Sequence, residues 1–458
     1  MQALSVSDNP PTGAPAQHPG YVLFLAIVAA ISGFLFGFDT AVINGVLLFL
    51  RHQFALNDLQ TEVAASALLL GCLLGAAGAS MIGDRIGRRK SLLCAALLFA
   101  ISTLGTSLAN SITVFSIGRL ICGLAVGLAS VLTPVYIAEI APAPNRGTLI
   151  SMNQLAIVVG ILAAYFVSWK FAFLGDSSWR WMLGVAAIPS LAFFVGLLTI
   201  PESPRWLIGN GQRAKAEAVL TRIFDAQEAA TQVRLVEQAA TTDEGSWREV
   251  FAKPMRKRLG VALALAILCQ VTGINTVLYY GSIIIKEHFS GQTANTALGV
   301  NVIIGGTNLV CTIIALFFLD RWGRRPILLT ATAGMALSLV TLVFAFHIHS
   351  VSPMVMMISV ICYVGFFAFG MGPVPWIIIS EIFPNKIRGR AASIATSALW
   401  TSTLVVTFTF LSLVRTFDIS GTFAIYAILS LVGFVYIWRY VPETRGKTLE
   451  QIQHEWER

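Results

Sequence analysis

Charge is the first thing this chain is short of: Asp, Glu, Lys and Arg make up 12% of its 458 residues, about half the share of a soluble domain. A water-facing surface cannot be built from that supply. A mean hydropathy of +0.76 makes lipid the natural solvent, although length alone would suggest about three soluble domains. Cysteine pairing is also missing. Cys72, Cys94, Cys122, Cys269, Cys311 and Cys362 each lie in an apolar run without CxxC spacing. That argues against a disulfide framework or a thiolate metal site and reads them as small core residues. No His/Cys/Asp cluster has metal spacing and no phosphate-binding Gly loop is present, so no cofactor, no metal, no ATP drive and no enzyme activity are expected. His347 and His349 stand at a span end. Residues 1–20 contain no Lys or Arg and so lack the basic segment of a signal peptide; they are expected to form a disordered cytoplasmic tail.

What the chain has is apolar length. A bilayer-spanning helix needs about 20 mostly apolar residues, and twelve such runs can be drawn: 21–49, 62–82, 91–110, 112–138, 148–170, 180–200, 259–288, 294–319, 326–347, 352–383, 388–415 and 419–440. The polar stretch 201–258 divides them into six and six and is expected to be a connector of short helices. The formal net charge of +8 does not point to nucleic acid, because the basic residues fall between apolar runs, where they face anionic lipid. With the tail inside, the inner loops hold Arg85, Arg88, Arg89, Lys90, Arg146, Arg321, Arg324, Arg325, Lys386, Arg388 and Arg390. The outer loops hold only Arg51, Lys170, Arg180, Lys286 and Arg415. Both termini, the connector 201–258 and the tail 441–458 are therefore expected in the cytoplasm.

The two halves, 21–200 and 259–440, repeat each other. GDRIGRRKSLL begins at Gly83 and LDRWGRRPILL at Leu319. Glu139 and Arg146 stand seven apart after span four, as Glu381 and Arg388 do after span ten. PESPRWL begins at Pro201 and PETRGKTL at Pro442. Duplicated halves are a device of secondary transporters, with substrate between halves that rock around it. Acidic and basic residues at these inner helix ends can pair across neighbouring helices and hold the inner side shut; a helix N-terminus also attracts an acidic side chain. This assigns a gating role to Asp84, Arg85, Arg88, Glu139, Arg146, Glu202, Asp320, Arg321, Arg324, Glu381, Arg388 and Glu443. The plainer reading is that the basic residues only keep the loops inside.

Asp39 in span one and Arg119 in span four are charges within spans. Such charges cost several kcal/mol unless paired or hydrated, and they face the bundle interior. One acid and one base in the same half point to a pair. If the rocking motion changes their separation or access to water, Asp39 becomes a proton-coupling group; the alternative is a static brace. Sugars present hydroxyls and C–H faces, so their pockets combine neutral amides with aromatic rings. Gln154, Gln270, Asn275, Tyr279, Asn308, Trp376 and Trp400 supply such a set within spans. Gly273 predicts a break in span seven, and Gly372, Pro373 and Pro375 predict one in span ten. Singly, each amide could join helices and each Trp could anchor at an interface.

The motifs GDRIGRR, PVYIAEIAPAPNRG, PESPRWL, QVTGIN followed by YY, DRWGRRP, GPVPW and PETRGKTL resemble the sugar porter family of the major facilitator superfamily, over nearly the whole chain from Gly33 to Glu450. The resemblance implies an all-α membrane protein of the major facilitator fold. Its twelve transmembrane helices would form two six-helix bundles joined by a cytoplasmic helical connector and working by alternating access. It implies that Asp39 and Arg119 match the proton-coupling residues of symporters, where facilitative members tend to have Asn at the first position. It adds Phe36 and the other pocket residues as sugar contacts and Tyr280 as part of an outer gate. The chain departs from the family at Ala186, where some symporters carry an acid, at Cys269, where an amide is usual, and at Leu399 before the span-eleven Trp. The expectation is a proton-coupled monosaccharide symporter, a hexose favoured over a pentose, acting as a monomer in the lipid bilayer of a bacterial inner membrane. A facilitative uniporter is the nearest rival; a drug exporter would want a greasier cavity with fewer amides.

Overall fold

The structure is a computed structural model describing residues 17–142, 145–241, 247–288, 294–348, 352–383 and 387–443. Among the described residues every regular element is helical. Ten helical stretches are long and apolar enough to cross a membrane, and two of them, of 54 and 52 residues, are long enough for two crossings each. At 1.5 Å per residue each of those would extend about 80 Å, against a hydrocarbon core of about 30 Å. Both fold back. The first turns at the 3-10 segment Ala172–Ser177, where Gly175 has φ 67°. The second turns at Asp418, with φ 59° and ψ 179°. Among the described residues the crossings thus number twelve.

Spans one to five are Pro19–Gln53, Asp58–Ile86, Arg88–Ser107, Ile112–Ile140 and Arg146–Phe171. Span six is broken, as Ser178–Gly184 and Ala187–Thr199. Short helices follow at Pro204–Gly209, Arg213–Leu220, Ala226–Thr241 and Trp247–Val250. Span seven is again two pieces, Arg256–Val271 and Ile274–His288, and spans eight and nine are Ala294–Trp322 and Arg324–His347. Span ten runs Pro353–Phe366, unwinds into a π-helical turn Phe367–Met371, and resumes at Val374–Glu381. The long helix Arg388–Tyr440 supplies spans eleven and twelve. The predicted breaks at Gly273 and in span ten are present; the break in span six lies outside the sequence expectation.

Within the first half, spans two and four cross at backbone contact. A Cβ on Gly71 would lie 2.1 Å from the carbonyl oxygen of Leu120, and one on Gly123 1.9 Å from that of Leu68. Lipid gives helices no hydrophobic drive toward one another, so close approach over small residues replaces it. Between the halves, span one packs on span seven, span two on span eleven, and span five on span eight. Under the six-and-six repeat the last two seams are equivalents. Their chemistry differs: spans five and eight meet by fit alone, with Gly305 against Tyr165 and Leu162, and no hydrogen bond joins them among the described residues.

The duplicated motifs carry a duplicated geometry at the end that bears the connector. Glu202 accepts from the backbone N–H of Arg89 at 2.9 Å, at the start of span three. Glu443 accepts from those of Arg324 and Arg325 at 3.0 Å each, at the start of span nine. Each carboxylate thus caps a helix N-terminus, where free N–H groups and the helix dipole favour an anion. The arginines do the converse. Arg89 donates to the Leu197 and Leu198 carbonyls, both at 2.8 Å, at the end of span six, and Arg325 donates to the Trp438 carbonyl near the end of span twelve. Arg88 and Arg324 close on the Gly83 and Leu319 carbonyls at 3.1 and 3.2 Å.

Candidate functional site

Asp39 and Arg119 come together deep in the first half, each with no more than 2% of its surface exposed. Arg119 Nη2 donates to the backbone carbonyl of Asp39 at 2.8 Å, while its Nη1 stands 3.6 Å from the carboxylate Oδ1. A tight guanidinium–carboxylate bond is about 2.7–2.9 Å, so the guanidinium is anchored to the backbone and holds the carboxylate loosely. Asp39 Oδ2 and Arg119 Nε are buried without hydrogen-bond partners. An incompletely bonded buried charge is costly, and a proton on the carboxyl would relieve it. Tyr279 of span seven is buried as well.

The expected sugar residues are only partly gathered. Phe36 of span one and Trp400 of span eleven meet across the halves, ring centroids 5.5 Å apart at 53°. The Trp400 indole N–H is buried and unpartnered, a donor left over where such groups normally find an acceptor. Asn275 donates to Gln270 at 2.5 Å across the span-seven break. Gly273 there has φ 92°, and a Cβ on it would run into the Tyr426 ring at 2.4 Å. Asn308 is buried and accepts only a long bond from Thr312 at 3.4 Å. Gly372 ends the π turn of span ten, its N–H reaching back to Phe367 O at 2.9 Å. Gln154 is half-buried and Trp376 is 39% exposed. Cys269, a departure from the family's amide, donates its thiol to Met371 O at 3.0 Å, so it ties span seven to span ten.

The expected gating residues form contacts within each half. Arg88 sits 3.0 Å from Asp84 and 3.2 Å from Glu139, and Glu139 accepts from Ser203 at 2.5 Å. Arg146 reaches the Ala141 carbonyl at 3.4 Å. Arg85 and Arg321 are exposed. The side chains of Asp320, Glu381 and Arg388 lie outside the described ones. Tyr280 donates to Thr407 O at 2.9 Å and stacks on Phe410 at 5.0 Å, fastening span seven to span eleven inside the second half.

The hydrogen bonds that do cross the halves concentrate at the end away from the connector, through residues the sequence reading passed over. Asn44 of span one donates to Leu278 O at 2.9 Å and accepts the Ser282 N–H at 2.9 Å. Those are the two ends of one helical rung, so an amide from the first half is spliced into span seven of the second. Asn301 of span eight donates to Asn44 Oδ1 at 3.4 Å, and Tyr165 of span five donates to Leu278 O at 3.1 Å. Glu62 of span two is bonded to span eleven there as well. A polar residue inside an apolar run was the available signal for Asn44 and Asn301; Glu62 reads in sequence as the first residue of a span. At the connector end the described crossing bond joins the exposed hydroxyls of Ser80 and Ser393 at 3.3 Å.

Comparison with known proteins agrees with this architecture. Residues 25–456 match the profile of the family described as sugar (and other) transporters. The D-xylose-proton symporter of Escherichia coli K12 is 37% identical over 478 residues, covering 95% of this chain and 96% of its own. The arabinose-proton symporter of Bacillus subtilis 168 is 35% identical over 444 residues, covering 95% of each chain. The solved proton:xylose symporter XylE bound to 6-bromo-6-deoxy-D-glucose superposes with a TM-score of 0.82 at 34% identity, covering 96% of this chain and 100% of that one. The chain is a multi-pass membrane protein, and it belongs to the sugar porter family of the major facilitator superfamily.

Proposed function

We propose that this chain is a proton-coupled monosaccharide symporter working by alternating access, with a hexose as the first choice of substrate and a pentose as the alternative. The observation that carries the reading is the buried, loosely held Asp39 beside Arg119. A carboxylate left with one unbonded oxygen in a dry site is poised to take a proton when water reaches it. The described inter-half bonds cluster away from the connector, which fits a conformation closed at that end. With basic residues keeping the connector loops inside, the closed end faces outward and both termini face the cytoplasm of a bacterial inner membrane.

In this reading the sugar lies between the halves against Phe36 and Trp400. The unpartnered Trp400 N–H is available to a hydroxyl, and Gln270, Asn275, Gln154 and Asn308 offer amides. Gly372 and Trp376 shape span ten beside it, and Tyr279 relays occupancy toward the charge pair. Tyr280 belongs to the outward gate. The contacts of Asp84, Arg88, Glu139, Arg146, Glu202, Arg324 and Glu443 stiffen the inner ends of each half, so that the halves tilt as units while the inner gate opens, and Arg85, Asp320, Arg321, Glu381 and Arg388 are assigned to the same gate by their place in the repeated motifs. The monomer holds the whole path.

The decisive measurement is flux in vesicles reconstituted with the purified chain, over a panel of hexoses and pentoses, with and without an inward proton gradient. Asp39→Asn is expected to abolish gradient-driven accumulation and to preserve counterflow exchange. A variant that still concentrates sugar, or wild-type flux with no change in external pH, would refute the coupling.

A further inference from the structure

A second carboxylate is buried in the spans, and the reading above leaves it without a part. Glu62 stands just inside the outer start of span two and is fully buried. Its Oε1 accepts the backbone N–H of Ser412 at 2.8 Å and its Oε2 accepts the Ser412 hydroxyl at 2.9 Å. Ser412 belongs to span eleven, so both bonds cross from one half to the other. Buried carboxylates are normally matched by a cation, yet no ion pair involves Glu62 among the described residues.

The charged and titratable neighbours are otherwise engaged or point away. On its own helix Asp58 pairs with Arg51 of span one at 3.1 Å. Tyr280 of span seven gives its hydroxyl to Thr407. Arg415, one turn beyond Ser412, is exposed. At the same end His52 and Asp176, both largely exposed, stand 3.3 Å apart. The charge of Glu62 is therefore met by the two donors of a single serine on the opposite half.

We propose that Glu62 and Ser412 form a latch that closes the outer end of the carrier, and that the charge on Glu62 sets how firmly it holds. The proposal rests on the alternating-access reading, since spans two and eleven must part when that end opens. In the open form water hydrates the carboxylate; in the closed form only Ser412 does its work. Removing the hydroxyl leaves one carboxylate oxygen unbonded when closed and fully hydrated when open, so closure loses. Neutralising Glu62 in that background removes the stranded charge, so closure recovers. The two substitutions are thus non-additive.

The test is hydrogen exchange of the full chain in lipid nanodiscs, without sugar or gradient, so that a failure of coupling at Asp39 leaves it untouched. Protection of residues 59–66 and 405–416, corrected for intrinsic exchange, is expected to fall about tenfold in Ser412→Ala. It is expected to return in Ser412→Ala with Glu62→Gln. Ser412→Thr keeps the donor and should behave as wild type. Unchanged protection in Ser412→Ala, an additive loss in the double variant, or equal losses in Ser412→Thr and Ser412→Ala would overturn the proposal.

Discussion

At the scale of the residue, the site is marked by polar atoms that lack partners. Asp39 Oδ2, Arg119 Nε and Trp400 Nε1 are all buried and unbonded, and each such group costs about 1–3 kcal/mol unless something answers it. A proton and a sugar hydroxyl are the answers that fit a carboxylate and an indole N–H. Trp400→Phe keeps the ring contact with Phe36 and deletes only the donor. It is expected to raise the KM for the transported sugar about tenfold, one hydrogen bond's worth, with little effect on protein stability. Uptake kinetics in vesicles measure the first and a thermal melt the second; an unchanged KM would remove Trp400 from the hydrogen-bonding set. These residues were legible as types, because a charge, an amide or a ring in an apolar run stands out. Their unmet bonds were not legible, since they depend on what the opposite half brings. Trp376 shows the same limit: its neighbours Gly372, Pro373 and Pro375 announce the broken helix, while its partial exposure follows from packing.

At the scale of the element, broken helices do the positioning. Gly273 takes a left-handed conformation that a side chain resists, and the Tyr426 ring occupies the place of a Cβ. Gly273→Ala is therefore expected to cost at least about 1–2 kcal/mol and to misplace Asn275 relative to Gln270. The outcome would be a melting temperature lowered by several degrees with transport reduced more than binding. A variant equally stable and active would show the break to be incidental. Sequence gave away this break and that in span ten through Gly and Pro. It spoke more quietly of the one after Gly184, through Pro189, whose missing N–H leaves the Val185 carbonyl without its i+4 helical partner. The turn at Asp418 is similarly quiet: an aspartate tolerates that backbone better than most residues, and its carboxylate steadies the turn by accepting the Gly421 N–H at 2.7 Å.

At the scale of the whole molecule, the repeat in the sequence is a repeat in mechanics. Glu202 and Glu443 cap equivalent helices in separate halves, so Glu202→Gln and Glu443→Gln should each lower stability by about 1 kcal/mol. Their effects should add in the double variant, because the sites share no partner. Melts of the four proteins measure this; a combined loss well above the sum would mean that the halves are coupled through these carboxylates. The motifs displayed their spacing and their charge, which is why the six-and-six division was readable. They suggested pairing between acids and bases, whereas half of the work is done on backbone groups, which no sequence motif displays.

The two equivalent seams between the halves are closed by different means, and that difference has a directional consequence. Where span five meets span eight, surfaces interlock and a separating force must open an empty gap before any solvent profits. Where span two meets span eleven, every bond given up can be replaced at once by a water molecule arriving from the mouth. Parting is therefore expected to start on the second side and run toward the first, like a book opened from its fore-edge, so that solutes enter past Glu62 and Ser412 with spans five and eight as the spine.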